Sequence, residues 1–228
     1  DVTSTYRSGA RFAPLAIRDA SLNIEGYSFR TQTSIEDIKI HDLGDLHVAG
    51  DAELTLGHLA LVTQELVDAE KVPVFLGGEH TITLGVLRSL GENVAVVSFD
   101  AHLDLRDDYL GLSLSHTTFM RRIKEDVKPA KILEIGTRAV CKEELEYAKK
   151  SGIDYLTAHQ IRKDGIEKTA ETLARQGGGE ISVETAREAI GTKTRRFSLI
   201  GDKFGKFVTE EFMPEMKKYV VGLERPLQ

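Results

Sequence analysis

The stretch Val94 to His116, VAVVSFDAHLDLRDDYLGLSLSH, constrains the fold of this chain more than any other. Val94, Ala95, Val96 and Val97 form a short apolar run of the kind that makes a buried strand, and the polarity then switches to Asp100, Ala101, His102, Leu103 and Asp104. In extended backbone, side chains two apart point the same way, so this spacing directs two carboxylates and one imidazole toward one point. Such a cluster suits a cation. Mixed oxygen and imidazole donors favour a divalent ion such as Mn2+, and the lack of thiolates argues against a soft metal. The competing reading is a charged, solvated loop whose aspartates cap the next helix.

The flanking sequence supplies a frame for that strand. Pro14 stands at an expected first helical position, with a short helix through Ile17. Ile38 to Leu43 reads as a strand, and Ala52 to Ala69 as a helix with Leu54, Leu59, Leu61, Val62, Leu66 and Val67 on one broad face. A strand Val72 to Leu76 runs into Gly77-Gly78-Glu79-His80, followed by a helix Ile82 to Leu90. Beyond His116 the spacing predicts a helix through Phe119 and Ile123, a strand Ile132 to Ile135, a helix Glu143 to Lys150, a strand near Tyr155 and a helix Gly165 to Arg175. After Gly177 to Gly179 come a helical candidate, Val183 to Ile190, and two strand candidates, Phe197 to Ile200 and Tyr219 to Leu223. Strand and helix alternating in this way predict an α/β fold with a parallel sheet and helices on both faces, three layers in all, as a single domain over residues 1–228.

Two further groups carry possible chemistry. Gly77-Gly78-Glu79-His80 places an imidazole at a strand's C-terminal end, the edge at which open α/β sheets bind ligands. Its bland counterpart is a tight turn with a solvated Glu79 and a capping His80. His116 follows Ser115 just before a helix, and an imidazole titrating near neutrality there can pass a proton to a leaving amine, or simply cap the helix. His41, His47, His58 and His159 have no partner pattern. Cys141 is the only cysteine, which excludes an internal disulfide, and it lacks the neighbours of a thiol nucleophile.

Charge narrows the partners. With a net charge of −6 and Lys and Arg scattered without aromatic interleaving, the chain has no footprint for nucleic acid. No run of apolar residues is long enough to span a bilayer and no signal-peptide pattern occurs, so neither membrane association nor export is expected, and the cytoplasm is the expected compartment.

Four segments, YRSGARFAPLAIRDAS at 6–21, GGEH at 77–80, SFDAHLD at 98–104 and SHTTFMRR at 115–122, together resemble the ureohydrolase family of agmatinases and arginases, most closely its prokaryotic agmatinase branch. The resemblance implies the arginase/deacetylase-like form of the three-layer fold. It implies that His80, Asp100, His102 and Asp104 are metal ligands to a pair of Mn2+ ions, and that His116 is the catalytic proton shuttle. The implied reaction is hydrolysis of a small guanidino substrate, agmatine to putrescine and urea in polyamine biosynthesis, by a manganese-activated hydroxide. The implied assembly is a homo-oligomer, a trimer or hexamer. A guanidinium is resonance-stabilised and poorly electrophilic, so its attack needs the strong nucleophile that metal-activated water provides at neutral pH. Several negative ligands would offset the charge of two divalent ions.

The chain departs from the family pattern in two places. The family's later S-x-D-x-D-x-x-D-P motif is missing, since no Asp-x-Asp occurs after Asp104. The order also reads as rotated: material matching the family's N-terminal arm, FVTEEFMPEMKKYVVGLERPLQ from Phe207, stands after the rest. Two other expectations therefore stand beside the ureohydrolase, a zinc-dependent deacylase of the same fold and a catalytically inactive metal-binding or interaction homologue.

Overall fold

In this computed structural model, residues 1–29 and 32–176 are described. Pro14 sits in the first turn of α1 (Ala13–Ser21), where its missing N–H costs nothing, and Ile17 is the buried residue of that helix. A two-stranded antiparallel ribbon follows, β1 (Tyr27–Ser28) with β2 (Thr33–Ser34). Ile38 to Leu43, expected as a strand, forms none among the described residues: Ile35–Asp37 is a 3-10 turn, and the segment beyond it pairs with no described neighbour. Ile40 and Leu43 are 49% and 64% exposed, so among the described residues the apolar pattern there has no sheet to bury it.

The helix α2 (Ala52–Asp68) begins where the Asp51 side chain accepts the Leu54 N–H at 2.7 Å. Its buried stripe is Leu56, Leu59 and Thr63, narrower than the face expected from sequence, because Leu54 and Leu61 point outward. That stripe packs on α3 (Ile82–Leu90) with the backbones close: a Cβ built on Gly85 would stand 2.9 Å from the Leu56 carbonyl oxygen. Val72 to Leu76, also expected as a strand, forms no ladder, and its Val72 and Val74 are exposed. An apolar run becomes a strand only where a neighbour takes its hydrogen bonds, and among the described residues none does.

Among the described residues three strands make the central sheet: β3 (Ala95–Phe99), β4 (Lys131–Thr137) and β5 (Asp154–Thr157), all parallel in the order β3-β4-β5. The crossover from β3 to β4 contains α4 (Phe119–Arg122) running into a π-turn over Ile123–Val127, and that from β4 to β5 contains α5 (Lys142–Ser151). The last described helix, α6 (Ala158–Gln176), is interrupted at Gly165, whose φ of 79° and ψ of 171° no helix can hold. The helix expected from Gly165 is therefore its second half.

Side chains alternate across the sheet as the strand period requires. Val96 and Ile132 face one core with Leu84, Leu103, Phe119 and Ile123, while Leu133 and Ile135 face a second with Ile161, Ala170 and Leu173. Helices thus cover both faces, giving the three layers expected. The segments Val183 to Ile190, Phe197 to Ile200 and Tyr219 to Leu223, the Gly177 to Gly179 interruption and the family-like arm from Phe207 lie outside the described residues. So does part of the expected single domain.

Candidate metal centre

The carboxyl end of β3 is built to turn sharply. Asp100 donates its N–H to the Ile135 carbonyl at 3.0 Å, and the Ala101 carbonyl accepts the N–H groups of Arg138 and Ala139 at 2.8 and 2.9 Å. This ties the SFDAHLD segment to the end of β4. Gly136, at φ 93°, makes the close approach possible; a Cβ there would meet the Asp100 carbonyl oxygen at 3.4 Å in a conformation that side chains rarely adopt. Asp104 itself adopts φ 52°, which turns the backbone after the strand.

From these anchors His80, Asp100 and Asp104 converge, each buried, with one ligand atom apiece lying within 4.8 Å of the others. His80 Nδ1 stands 2.9 Å from Asp100 Oδ2 and 3.8 Å from Asp104 Oδ2. The His80 ring is fixed by Phe119, whose ring centroid is 4.4 Å away in the adjoining core. His102 lies beside this group rather than within it: its Nδ1 is 3.0 Å from Asp100 Oδ1, its backbone N–H donates to the same oxygen at 2.8 Å, and its side chain is 58% exposed. Asp100 therefore offers one oxygen to each of two imidazoles.

The electrostatics are those of crowded negative charge. Burial pushes the Asp104 carboxyl well above its ordinary value, and the neighbouring Asp100, Glu134 and Glu144 push it further. Burial acts on Asp100 in the same direction, but the bonds from His102 and His80 prevail and hold it far below the carboxylate range. Its hydrogen bond to Asp100 in turn raises His102. Two buried carboxylates beside an imidazole, one of them unable to ionise freely, are a donor set that fits a hard or borderline divalent cation.

His116 is not a member of that group; it follows a tight hairpin in which Tyr109 and Leu112 exchange backbone hydrogen bonds at 3.0 Å across Leu110 and Gly111, both at positive φ. The edge of its ring meets Tyr109, with centroids 6.5 Å apart. The His116 N–H donates to Thr3 Oγ1 at 3.1 Å, and Nδ1 lies 3.3 Å from the same oxygen.

Several residues that shape this region carried no signal in the sequence reading. Glu79 is not a solvated turn residue: its side chain is only 9% exposed and accepts the Thr3 N–H at 2.7 Å and the Thr3 hydroxyl. Burial would raise Glu79, but those bonds bring it below its ordinary value. Glu144 is also buried, accepting the N–H groups of Leu105 at 3.1 Å and Cys141 at 2.9 Å, and so fastens the residue after Asp104 to the start of α5. The only advance notice of Glu79 was its place beside His80. Nothing in the sequence pairs it with Thr3, 76 residues away.

Comparison with known proteins identifies the family. Residues 1–183 match the model of the arginase family. An uncharacterized 32.2 kDa protein of Methanothermus fervidus is 43% identical over 163 residues, 71% of this chain and 56% of its own length. The agmatinase of Bacillus cereus is 33% identical over 187 residues, 80% of this chain and 63% of its own. Among solved structures, the agmatine ureohydrolase of Thermoplasma volcanium superposes with a TM-score of 0.72 at 33% identity, over 78% of this chain and 60% of that one. The chain thus spans about 56–63% of the length of these relatives. With a family match over most of its length, the chain belongs to the arginase family.

Proposed function

We propose that this chain is a metal-dependent ureohydrolase that splits a small guanidino compound, agmatine in the first instance, into urea and an amine. The observation that carries the reading is the buried group of His80, Asp100 and Asp104 at the carboxyl edge of the sheet in a member of the arginase family. Those three residues and His102 would hold Mn2+, and the two oxygens of Asp100, one facing each imidazole, would suit a pair of ions. Bound there, the metal supplies water that ionises near neutral pH. The residues of the chain do the rest. The carboxylates balance the cationic charge of metal and guanidinium, and the ring of His116 carries a proton to the departing amine nitrogen. By the same family resemblance, the reaction yields putrescine for polyamine biosynthesis, in the cytoplasm, from a trimer or hexamer.

Urea release from agmatine, arginine and 4-guanidinobutyrate, measured after loading with Mn2+, tests this. Agmatine is expected to give urea, and Asp100→Asn to abolish the release. Deacylation of an N-acyl amine with Zn2+ would instead point to a deacylase, and metal binding with no turnover to an inactive homologue.

A further inference from the structure

The turn that supplies His80 to the metal group also faces the other way. Its preceding residue, Glu79, accepts three hydrogen bonds: from the Thr3 N–H at 2.7 Å, from the Thr3 hydroxyl, and from the Thr81 hydroxyl at 3.3 Å. The arm bearing Thr3 is kept close by backbone contact. Gly78 lies so near the Ala10–Arg11 peptide that a Cβ would come within 3.1 Å of its backbone atoms. Thr3 is itself buried and touches His116 twice, through the His116 N–H at 3.1 Å and the ring Nδ1 at 3.3 Å.

The hydroxyl has one proton and two lone pairs. A carboxylate only accepts, so the Thr3 proton points at Glu79, and both lone pairs are left for the two His116 nitrogens. The backbone nitrogen is a donor by necessity. Nδ1 must then also donate, since a second acceptor would face the oxygen's lone pairs with no proton between them. A neutral imidazole carries one ring proton, and placing it on Nδ1 leaves Nε2 unprotonated.

We propose that Thr3, oriented by Glu79, is a positioning residue that locks His116 in the tautomer with its proton on Nδ1 and its Nε2 lone pair free. For the reaction, this rests on the ureohydrolase reading: Nε2 is then the atom that takes the proton released when water attacks the guanidinium carbon, and that returns it to the amine nitrogen as the C–N bond breaks. Glu79 and Thr3 touch no substrate in this scheme. They fix which ring nitrogen can act.

The test is an imidazole 1H–15N correlation on the 15N-histidine-labelled 228-residue chain in EDTA, at a pH where His116 is neutral, with His116→Asn identifying its signals. The wild type is expected to show the Nδ1–H pattern and Thr3→Ser to keep it. Thr3→Val should move His116 toward the Nε2–H pattern that free histidine favours. An Nε2–H pattern in the wild type overturns the proposal without any variant having to fold, and so does an unchanged pattern in a folded Thr3→Val. With Mn2+ and agmatine, Thr3→Val is expected to lower kcat by about tenfold or more while KM holds, with Thr3→Ser restoring it; a loss confined to KM counts against the proposal. Absence of urea from the wild type would sink the ureohydrolase reading alone, because the tautomer signals decide the role of Thr3 independently.

Discussion

His80 and Asp100 are 20 residues apart in the chain, yet His80 Nδ1 and Asp100 Oδ2 lie 2.9 Å apart in a buried pocket at the end of β3. Asp104 completes the group but contributes a carboxyl that resists ionisation. Burial and the neighbouring carboxylates disfavour its charged form, and a cation seated there would relieve that opposition.

That relationship gives the first prediction. Asn mimics the neutral form of Asp104, so metal-free Asp104→Asn should unfold no earlier than the wild type in EDTA. Added Mn2+ should raise the melting temperature of the wild type and leave the variant unmoved. Calorimetry with and without metal checks both statements, and a variant already destabilised in EDTA would show that Asp104 is structural.

Glu144 is another buried acid, and both its oxygens accept a hydrogen bond. It joins Leu105, the residue after Asp104, to Cys141 at the entry to α5. Glu144→Ala strands two N–H groups and should cost about 1–3 kcal/mol in urea unfolding. Because the Leu105 tether also sets Asp104, weaker Mn2+ binding should accompany the loss. Unchanged stability would mean water replaces the carboxylate.

How much of this was legible in the sequence follows from the range of each interaction. The helices over Ala52–Asp68, Ile82–Leu90 and Lys142–Ser151 and the strand Ala95–Phe99 are written in local periodicity and were readable. Val72 to Leu76 is unpaired among the described residues, and an apolar run alone says nothing about which neighbour takes its hydrogen bonds. His80, Asp100 and Asp104, which converge, were visible in their motifs, and for Asp100 also in its place at the end of a strand. The outward lean of His102 was not: after Asp100 the backbone stops being extended, and the two-residue period no longer governs where a side chain points. Thr3, Glu79 and Glu144 were illegible for a different reason. Each acts through hydrogen bonds to residues distant in the chain, which leave no periodic trace.

Two glycines in neighbouring helices should respond to alanine with opposite signs. Gly85 meets the Leu56 backbone, so Gly85→Ala forces α3 away from α2 and should cost about 1–3 kcal/mol. Gly57 is exposed on α2 with nothing within 4 Å of a built Cβ, so Gly57→Ala should stabilise by about 0.5–1 kcal/mol through helix propensity alone. Urea midpoints of the two variants provide the comparison, and a loss from both would show that α2 tolerates no change on its outer face.

The same helix pair is clasped at its surface by Arg88 and Glu53, with Nη1 2.6 Å from Oε2 and Nη2 3.1 Å from Oε1. Glu53 is in the first turn of α2 and Arg88 in the last turn of α3, so each charge also suits its helix dipole. The hydrogen bond from Arg88 lowers the Glu53 pKa below its ordinary 4.5. A carboxyl with a depressed folded pKa contributes stability above its unfolded value and loses that contribution as pH falls through the folded one. Because the Glu53 side chain is 58% exposed, solvent limits the pair to about 0.2–1 kcal/mol. Glu53→Gln should therefore lower the urea midpoint slightly at neutral pH, with the gap to wild type closing on acidification below 4.5 and shrinking in high salt. A gap that persists unchanged through that acid window would assign the effect to packing of the side chain rather than to its charge.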